Sequence, residues 1–308
     1  MAYPVSAGNP QYSGSWIPAV WSTKVNVKFY DACVVAAISN TDWEGEIRDK
    51  GGEVNIRQIP TITVRDYEKG QDLVYEHPES DNVVLPINYG HYWGVYVDEV
   101  DKVQADIDWI SKFAQDAAEQ MKIKVDTNVL GTVYADAAST NKGLTAGKRS
   151  ASLNLGVTGT PLAIDKTNVL DVLVDCGTAL DENNVPEMDR WIILPPTLVG
   201  AIKKSDLKDA SLAGDSTSIM RNGRVGMIDR FTVYSSNLLS IVSDGGHSCY
   251  NMLFGHSKGL AFASQIPQGK ITRLPSERSF GEVIRGLCVY GFKVTYPAAI
   301  GHLYGYKA

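Results

Sequence analysis

Ser257 has the surroundings that most resemble a reaction centre. Gly255-His256-Ser257-Lys258-Gly259 fits the GxSxG of a hydrolase nucleophile elbow, where a sharp turn between strand and helix lifts a serine hydroxyl toward an acyl carbon. A triad in that chain order needs an acid and then a histidine, and Glu277 or Glu282 followed by His302 supply the types. The chain before it lacks the repeated βα units that build a parallel hydrolase sheet, so a turn with Ser257 near an N-cap is the simpler reading. Gly143 to Lys148 resembles a phosphate loop. It is one residue short, Arg149 stands where Ser or Thr would hold magnesium, and no strand precedes it. His91 has no carboxylate or cysteine at metal-ligand spacing. Cys33, Cys176, Cys249 and Cys288 form neither a CxxC nor a zinc pattern and read as buried thiols of a reducing compartment, without disulfides. Asp106, Asp108, Asp116 and Glu119 read as the solvated face of a helix, with pairing to a neighbouring subunit the alternative. No catalytic residue, cofactor or metal site is expected.

Composition narrows the classes further. In 308 residues, 44% hydrophobic content is enough for a real core, in two compact domains or one elongated one. The net charge is −6, the sequence pI is near 5.4, and no Lys/Arg block stands out, which argues against sequence-independent binding to a nucleic-acid backbone. The first twenty residues lack a cationic start and apolar centre, and no run of about 18 apolar residues occurs, so neither a secretory signal nor a membrane helix is expected.

The elements that would position these residues centre on one rod. From Asp98 to Leu130, Val100, Val103, Ile107, Ile110, Ala114, Ala117 and Met121 recur at three- and four-residue steps, with charged residues between them. No Gly or Pro interrupts the run before Gly131, and 25 to 30 helical residues make a rod of roughly 40 Å. Residues 1–15 are Gly-, Ser- and Pro-rich and read as an arm. Trp16 to Tyr30 can form an amphipathic helix that docks on a core or a neighbour. The β-branched run from Val54 to Val64, a turn at Asp66–Gln71 and a return strand from Leu73 to Glu76 predict a long hairpin that projects from the body, with few large apolar residues near its tip. Strands at 83–87 and 92–97 lead into the rod. Residues 135–162 read as loop, 165–180 as helix, 191–194 as strand, 197–203 as short helix and 205–223 as surface loop. Strands follow at 231–234, 239–242 and 250–254, then a helix over 258–265, and 283–306 should return as strands to the rod.

Several stretches resemble one family. Residues 17–47, IPAVWSTKVNVKFYDACVVAAISNTDWEGEI, are similar to the IPEIWS…VKFY…NTDYEGEI opening of major capsid proteins of tailed bacteriophages with the HK97-type fold, of the podovirus-type coat protein kind. Residues 54–76 resemble the family's extended loop, GHSKGLAFASQ at 255–265 a structural helix start, and IRGLCVYGFKVTYP at 284–297 its closing segment. The resemblance implies an α+β capsid fold divided into an N-terminal arm and first helix (1–43), an extended β-hairpin loop (44–81), and a peripheral domain (82–162) whose spine helix spans about 98–130. An axial domain (163–265) and peripheral return strands (266–308) complete it. It also implies hexamers and pentamers closing into an icosahedral head around double-stranded DNA, without sequence-specific binding and without a membrane. Assembly contacts are then expected at Trp16, Trp21, Glu46, Arg48, Arg65, Asp66, Tyr67 and Lys69.

Some family members cross-link a loop Lys to a late Asn. Lys69 could be the Lys, but no Asn follows Asn251, so that chemistry is not expected here. The short arm leaves no room for a fused scaffolding domain, so the implied partners are a separate scaffolding protein, a portal and a decoration protein. The protein would be made in the host cytoplasm and end in the virion. An encapsulin shell around enzyme cargo, a tail or head-completion protein, and a hydrolase using Ser257 are the competing readings.

Overall fold

A computed structural model describes residues 30–44, 52–60, 62–79, 82–98, 100, 109–205, 226–266, 272–275 and 280–308. Two larger sheets, one two-stranded sheet and one long helix organise them. The helix corresponds to the expected rod over Trp109–Leu130, here α2 after the single turn α1 at Val35–Ile38. Residues 101–108, with Asp106 and Asp108, lie outside the described part, as does the expected helix over 16–29. The buried stripe of α2 is Met121, Val125 and Val129 at four-residue steps, with Leu130 beside the last, the repeat of one helix face.

The first sheet carries the rod. β3 (Tyr89–Asp98) runs antiparallel to β12 (Gly281–Val294) over ten residue pairs, from Asp98 opposite Gly281 to Tyr89 opposite Tyr290. β12 also pairs with β10 (Leu260–Ile266) and β11 (Thr272–Pro275). The hydroxyl of Tyr290 joins sheet to rod: Asn128 Nδ2 donates to it at 2.8 Å, and His91 Nε2 lies 3.1 Å away. His91 is therefore a structural histidine.

The second sheet has the order β4-β13-β9-β5-β7-β6, with β8 (Ile241–Asp244) on β9. β4 is Leu162–Ile164, β5 Arg190–Leu194, β6 Met227–Ile228, β7 Phe231–Ser235, β9 His247–His256 and β13 Ile300–Lys307. β5 is buried along its whole length, as expected of a central strand covered on both faces. Helix α3 (Val169–Glu182) turns Val169, Val172, Leu173, Cys176, Ala179 and Leu180 into the core that it shares with this sheet. It ends at Asn184, whose φ of 57° lets the Val185 N–H return to the Leu180 carbonyl. α4 (Pro196–Lys204) opens on Pro and closes on Lys203 and Lys204, the polarity a helix favours.

Two expectations need correction. The helix over 258–265 is strand β10, reached by a single 3-10 turn at Ser257–Gly259. A short apolar run has no period that separates strand from helix, and here β12 offers a ladder partner. The last strand does not return to the rod: β13 lies between β9 and β4, antiparallel to the first and parallel to the second. Nevertheless one continuous core joins rod residues Met121 and Val125 to Ile192, Leu253 and Leu303 of the second sheet.

Candidate assembly surface

The loop expected to project does so, but not as a regular hairpin. Its base is a ladder, β1 (Glu53–Arg57) against β2 (Asn82–Pro86). Val54, Ile56 and Leu85 form a small second core there with Ala261 and Ala263 of β10. Beyond Arg57 no ladder is described, so among the described residues the expected strands at 62–64 and 73–76 are limbs without strand pairing, and Thr61 lies outside the described part. Side chains span them instead. Arg65 bonds Glu76 at 2.7 Å, and the second carboxylate oxygen of Glu76 accepts the Thr63 N–H at 3.3 Å. The Arg65 bond, then that N–H, holds the Glu76 carboxyl below its ordinary pKa. The turn is where its composition put it: Gln71 N–H returns to the Glu68 carbonyl, and Gly70 takes a φ of +91°, a conformation glycine adopts without strain.

The expectation of few apolar residues near the tip fails. Ile59 is 95%, Val64 94% and Tyr75 82% exposed, and Ile62, Tyr67, Leu73 and Val74 are exposed beside them. Large apolar side chains left exposed at intervals along both limbs of one segment are the kind of surface that serves interaction. Of the predicted contacts, Asp66, Tyr67 and Lys69 sit exposed around the turn and Arg65 on the limb below. Trp16, Trp21, Glu46 and Arg48 lie outside the described residues.

The hydrolase pattern dissolves on inspection. His302 Nε2 faces Asn251 Oδ1 at 3.0 Å and its ring packs on Tyr134, while His256 Nδ1 accepts the Lys258 N–H at 3.0 Å. Neither ring is hydrogen-bonded to Ser257. The two glycines have a packing reason: a Cβ at Gly255 would come within 2.6 Å of the Ala299 carbonyl, and one at Gly259 within 2.8 Å of Ile300 Cδ1. The phosphate-loop resemblance resolves likewise. The N–H groups of Arg149 and Ser150 do converge on an anion, but it is the chain's own Glu182, at 2.6 and 3.1 Å. Those bonds lower its pKa.

The rod's carboxylates make local contacts: Asp116 accepts from the Tyr30 hydroxyl at 2.9 Å, and Glu119 pairs with Lys122 at 2.7 Å. Two buried charges escaped the sequence reading. Asp126 accepts the N–H groups of Val34 and Val35 at 2.5 and 3.1 Å, and burial raises its pKa against the pull of those bonds. Arg190 on β5 donates to Asp181 at 2.7 Å and to the carbonyls of Val185 and Pro186. Neither stands out from ordinary surface charge in the sequence. Cys33 is likewise exposed and not buried, unlike the other three cysteines. Among the described residues no His, Cys, Asp and Glu cluster could hold a metal, and no helix is long and apolar enough to cross a membrane.

Comparison with known proteins agrees with this geometry. The model of a family described as phage capsid protein matches residues 87–304. No curated protein matches the sequence. A solved structure from Mycobacterium phage Che8 superposes with a TM-score of 0.76 at 23% identity, over 94% of this chain and 97% of that one. The capsid structure of cyanophage P-SCSP1u gives 0.73 at 15% identity, covering 95% and 94%. The mature capsid of bacteriophage PhiM1 gives 0.67 at 15% identity, covering 94% of each chain. At these identities the likeness is one of fold, and the fold is of the HK97 type.

Proposed function

The chain belongs to the phage capsid protein family, and from that membership we propose that it is the structural coat protein of a phage head, self-assembling through hexamers and pentamers into an icosahedral shell around double-stranded DNA. The observation that carries the reading is the loop. Its base is locked into the body, whereas its outer limbs expose Ile59, Ile62, Val64, Leu73 and Tyr75. A monomer gains nothing from that arrangement, and a lattice of copies gains a cover for each loop. Many such contacts, each weak, act together once the geometry closes.

In this reading residues 44–81 form the extended loop, the rod is the spine of a peripheral domain that takes in 82–162 and the strands β10, β11 and β12 of its sheet, and the second sheet with its helices, β13 included, forms the bulk of an axial domain. Assembly contacts fall at Arg65, Asp66, Tyr67 and Lys69 on the loop, Glu46 and Arg48 at its root, and Trp16 and Trp21 on the arm. A net charge of −6 suits a wall that must not grip the DNA it stores. Scaffolding, portal and decoration proteins are the partners, and assembly takes place in the host cytoplasm. Electron microscopy and light scattering of the expressed protein, with and without a candidate scaffolding protein, test the reading. Closed shells, or rings that convert to them, are expected; a stable monomer or dimer under every condition overturns it.

A further inference from the structure

Glycines in the first sheet divide by whether the subunit itself accounts for them. In β12 it does: a Cβ at Gly286 would collide with the Trp93 indole, and one at Gly291 with the Pro86 carbonyl. In β3 it does not. Gly90 and Gly94 take no positive φ. Nothing of the described chain comes nearer to a Cβ at Gly90 than the Cys288 carbonyl at 4.0 Å, or to one at Gly94 than the Ile284 carbonyl at 3.9 Å. Those are ordinary contact distances, so a side chain would fit at either place. A strand glycine loses more chain freedom on folding than any other residue and packs no side chain, so it weakens its strand. Where the fold does not require it, the remaining reason is the close approach of another backbone.

Both glycines lie on the face of β3 turned away from the core. Tyr89 and Trp93 pack against the core cluster, while the alternate residues Gly90, Tyr92, Gly94 and Tyr96 are exposed, the two-residue alternation of a strand. Tyr92 is 84% exposed. Opposite it in the ladder stands Leu287, and opposite Gly94 stands Arg285, both exposed. The face thus offers two aromatic rings with bare backbone beside them, an apolar neighbour and one cation.

A second copy of this chain carries a segment that matches. Ile62 and Val64 are exposed on a limb with no described strand pairing, and their β-branched side chains suit packing on a pleated surface. The turn beyond them holds Asp66, Glu68 and Asp72 against Lys69, all exposed, an excess of the sign that Arg285 attracts. The loop of the same copy leaves the face open, as the exposure of Tyr92 shows, and its root is clamped by the second core and by the bond from Gln58 to the Thr295 carbonyl.

We propose that the limb carrying Ile62 and Val64 of one copy lies across β3 of a second copy, its backbone close to Gly90 and Gly94 and flanked by Tyr92 and Tyr96. The inference rests on the proposed shell and assigns the seat that receives each loop. Because the two surfaces differ, the contact runs head to tail, the kind that closes rings.

Two experiments on the full-length protein test it. The double variant Gly90→Val, Gly94→Val should leave the urea midpoint of the dilute chain equal or higher, since valine favours strands and meets open space, while shells are lost from electron micrographs. A lower midpoint, or shells at the wild-type yield, overturns the proposal. In a Cys33→Ser background, chains with Ile62→Cys or Val64→Cys are mixed with chains carrying Tyr92→Cys and oxidised at the highest soluble concentration, and peptide masses locate the bonds. A disulfide needs Cα atoms within about 7 Å. Bonds from position 62 or 64 to position 92 of another copy are expected, with a yield that falls on dilution, and none when the acceptor is Val174→Cys, exposed on α3. Bonds without closed shells would retain the seat and overturn the shell. Shells without bonds would overturn the seat alone, and neither shells nor bonds would overturn both.

Discussion

The second sheet and the outer loop are built on opposite terms. In the sheet, β5 is buried end to end between β7 and β9, its one charged residue is bonded on several sides, and glycines admit neighbours where a methyl group would collide. In the loop, residues beyond Arg57 have no described ladder, their large side chains face solvent, and the limbs are spanned by Arg65 and Glu76. The sheet draws its stability from its own chain. The loop leaves much of its apolar area exposed to solvent.

Substitutions should separate the two regions by what they damage. The largest effect on folding is expected from Arg190→Ala, which strands the Val185 and Pro186 carbonyls and removes a buried charge from Asp181. Breaking such a network costs about 3–5 kcal/mol, readable as a lower urea midpoint at unchanged slope. Acid should come next. Burial, then the nearby Lys142 charge, lowers the His302 pKa to about 4, so between about pH 6.5 and 4 the unfolded chain binds a proton that the folded one refuses. The contribution is complete above pH 6.5 and is lost as pH falls toward 4, by an amount on the order of 3 kcal/mol. His302→Gln should flatten the stability profile in that window by about one proton. Gly301→Ala should cost about 1–3 kcal/mol through overpacking, because the added Cβ would collide with the Phe254 ring. In the loop, the combined change Ile62→Ser, Val64→Ser and Tyr75→Ser should shift monomer stability by less than about 0.5 kcal/mol per site while abolishing shells in electron micrographs. Equal loss of folding stability from the loop and the sheet would erase the distinction.

How much of this could be read in advance follows the same division. The rod and α3 were legible because a one-sided period of 3.6 needs no partner to be recognised. The loop's turn was legible from Gly70 and its polar neighbours. Its limbs were not, since the β-branched run from Val54 to Val64 signals readiness for a ladder and cannot say whether a partner is there. The seven residues of β10 were misread for want of a period, and the seat of β13 depends on pairings with β9 and with β4, far away in sequence. Asp126 and Arg190 gave no sign of burial, because what allows a charge inside is the set of groups that fold around it. The loop's apolar side chains were in plain view, yet their exposure follows from what the rest of the chain fails to cover.

The root of the loop repays one more look. β1 and β2 press so closely on β12 that a methyl group at Gly291 would fall on the Pro86 carbonyl, and Gln58 is bonded to the Thr295 carbonyl at 2.9 Å. Further out, the Arg65–Glu76 pair bridges the limbs. In mechanical terms this is a cantilever, clamped at its root and tied along its span by a single ion pair. In the shell proposed above, copies in rings of five and rings of six would meet their neighbours at different tilts, and a beam held in this way would take up the difference by bending.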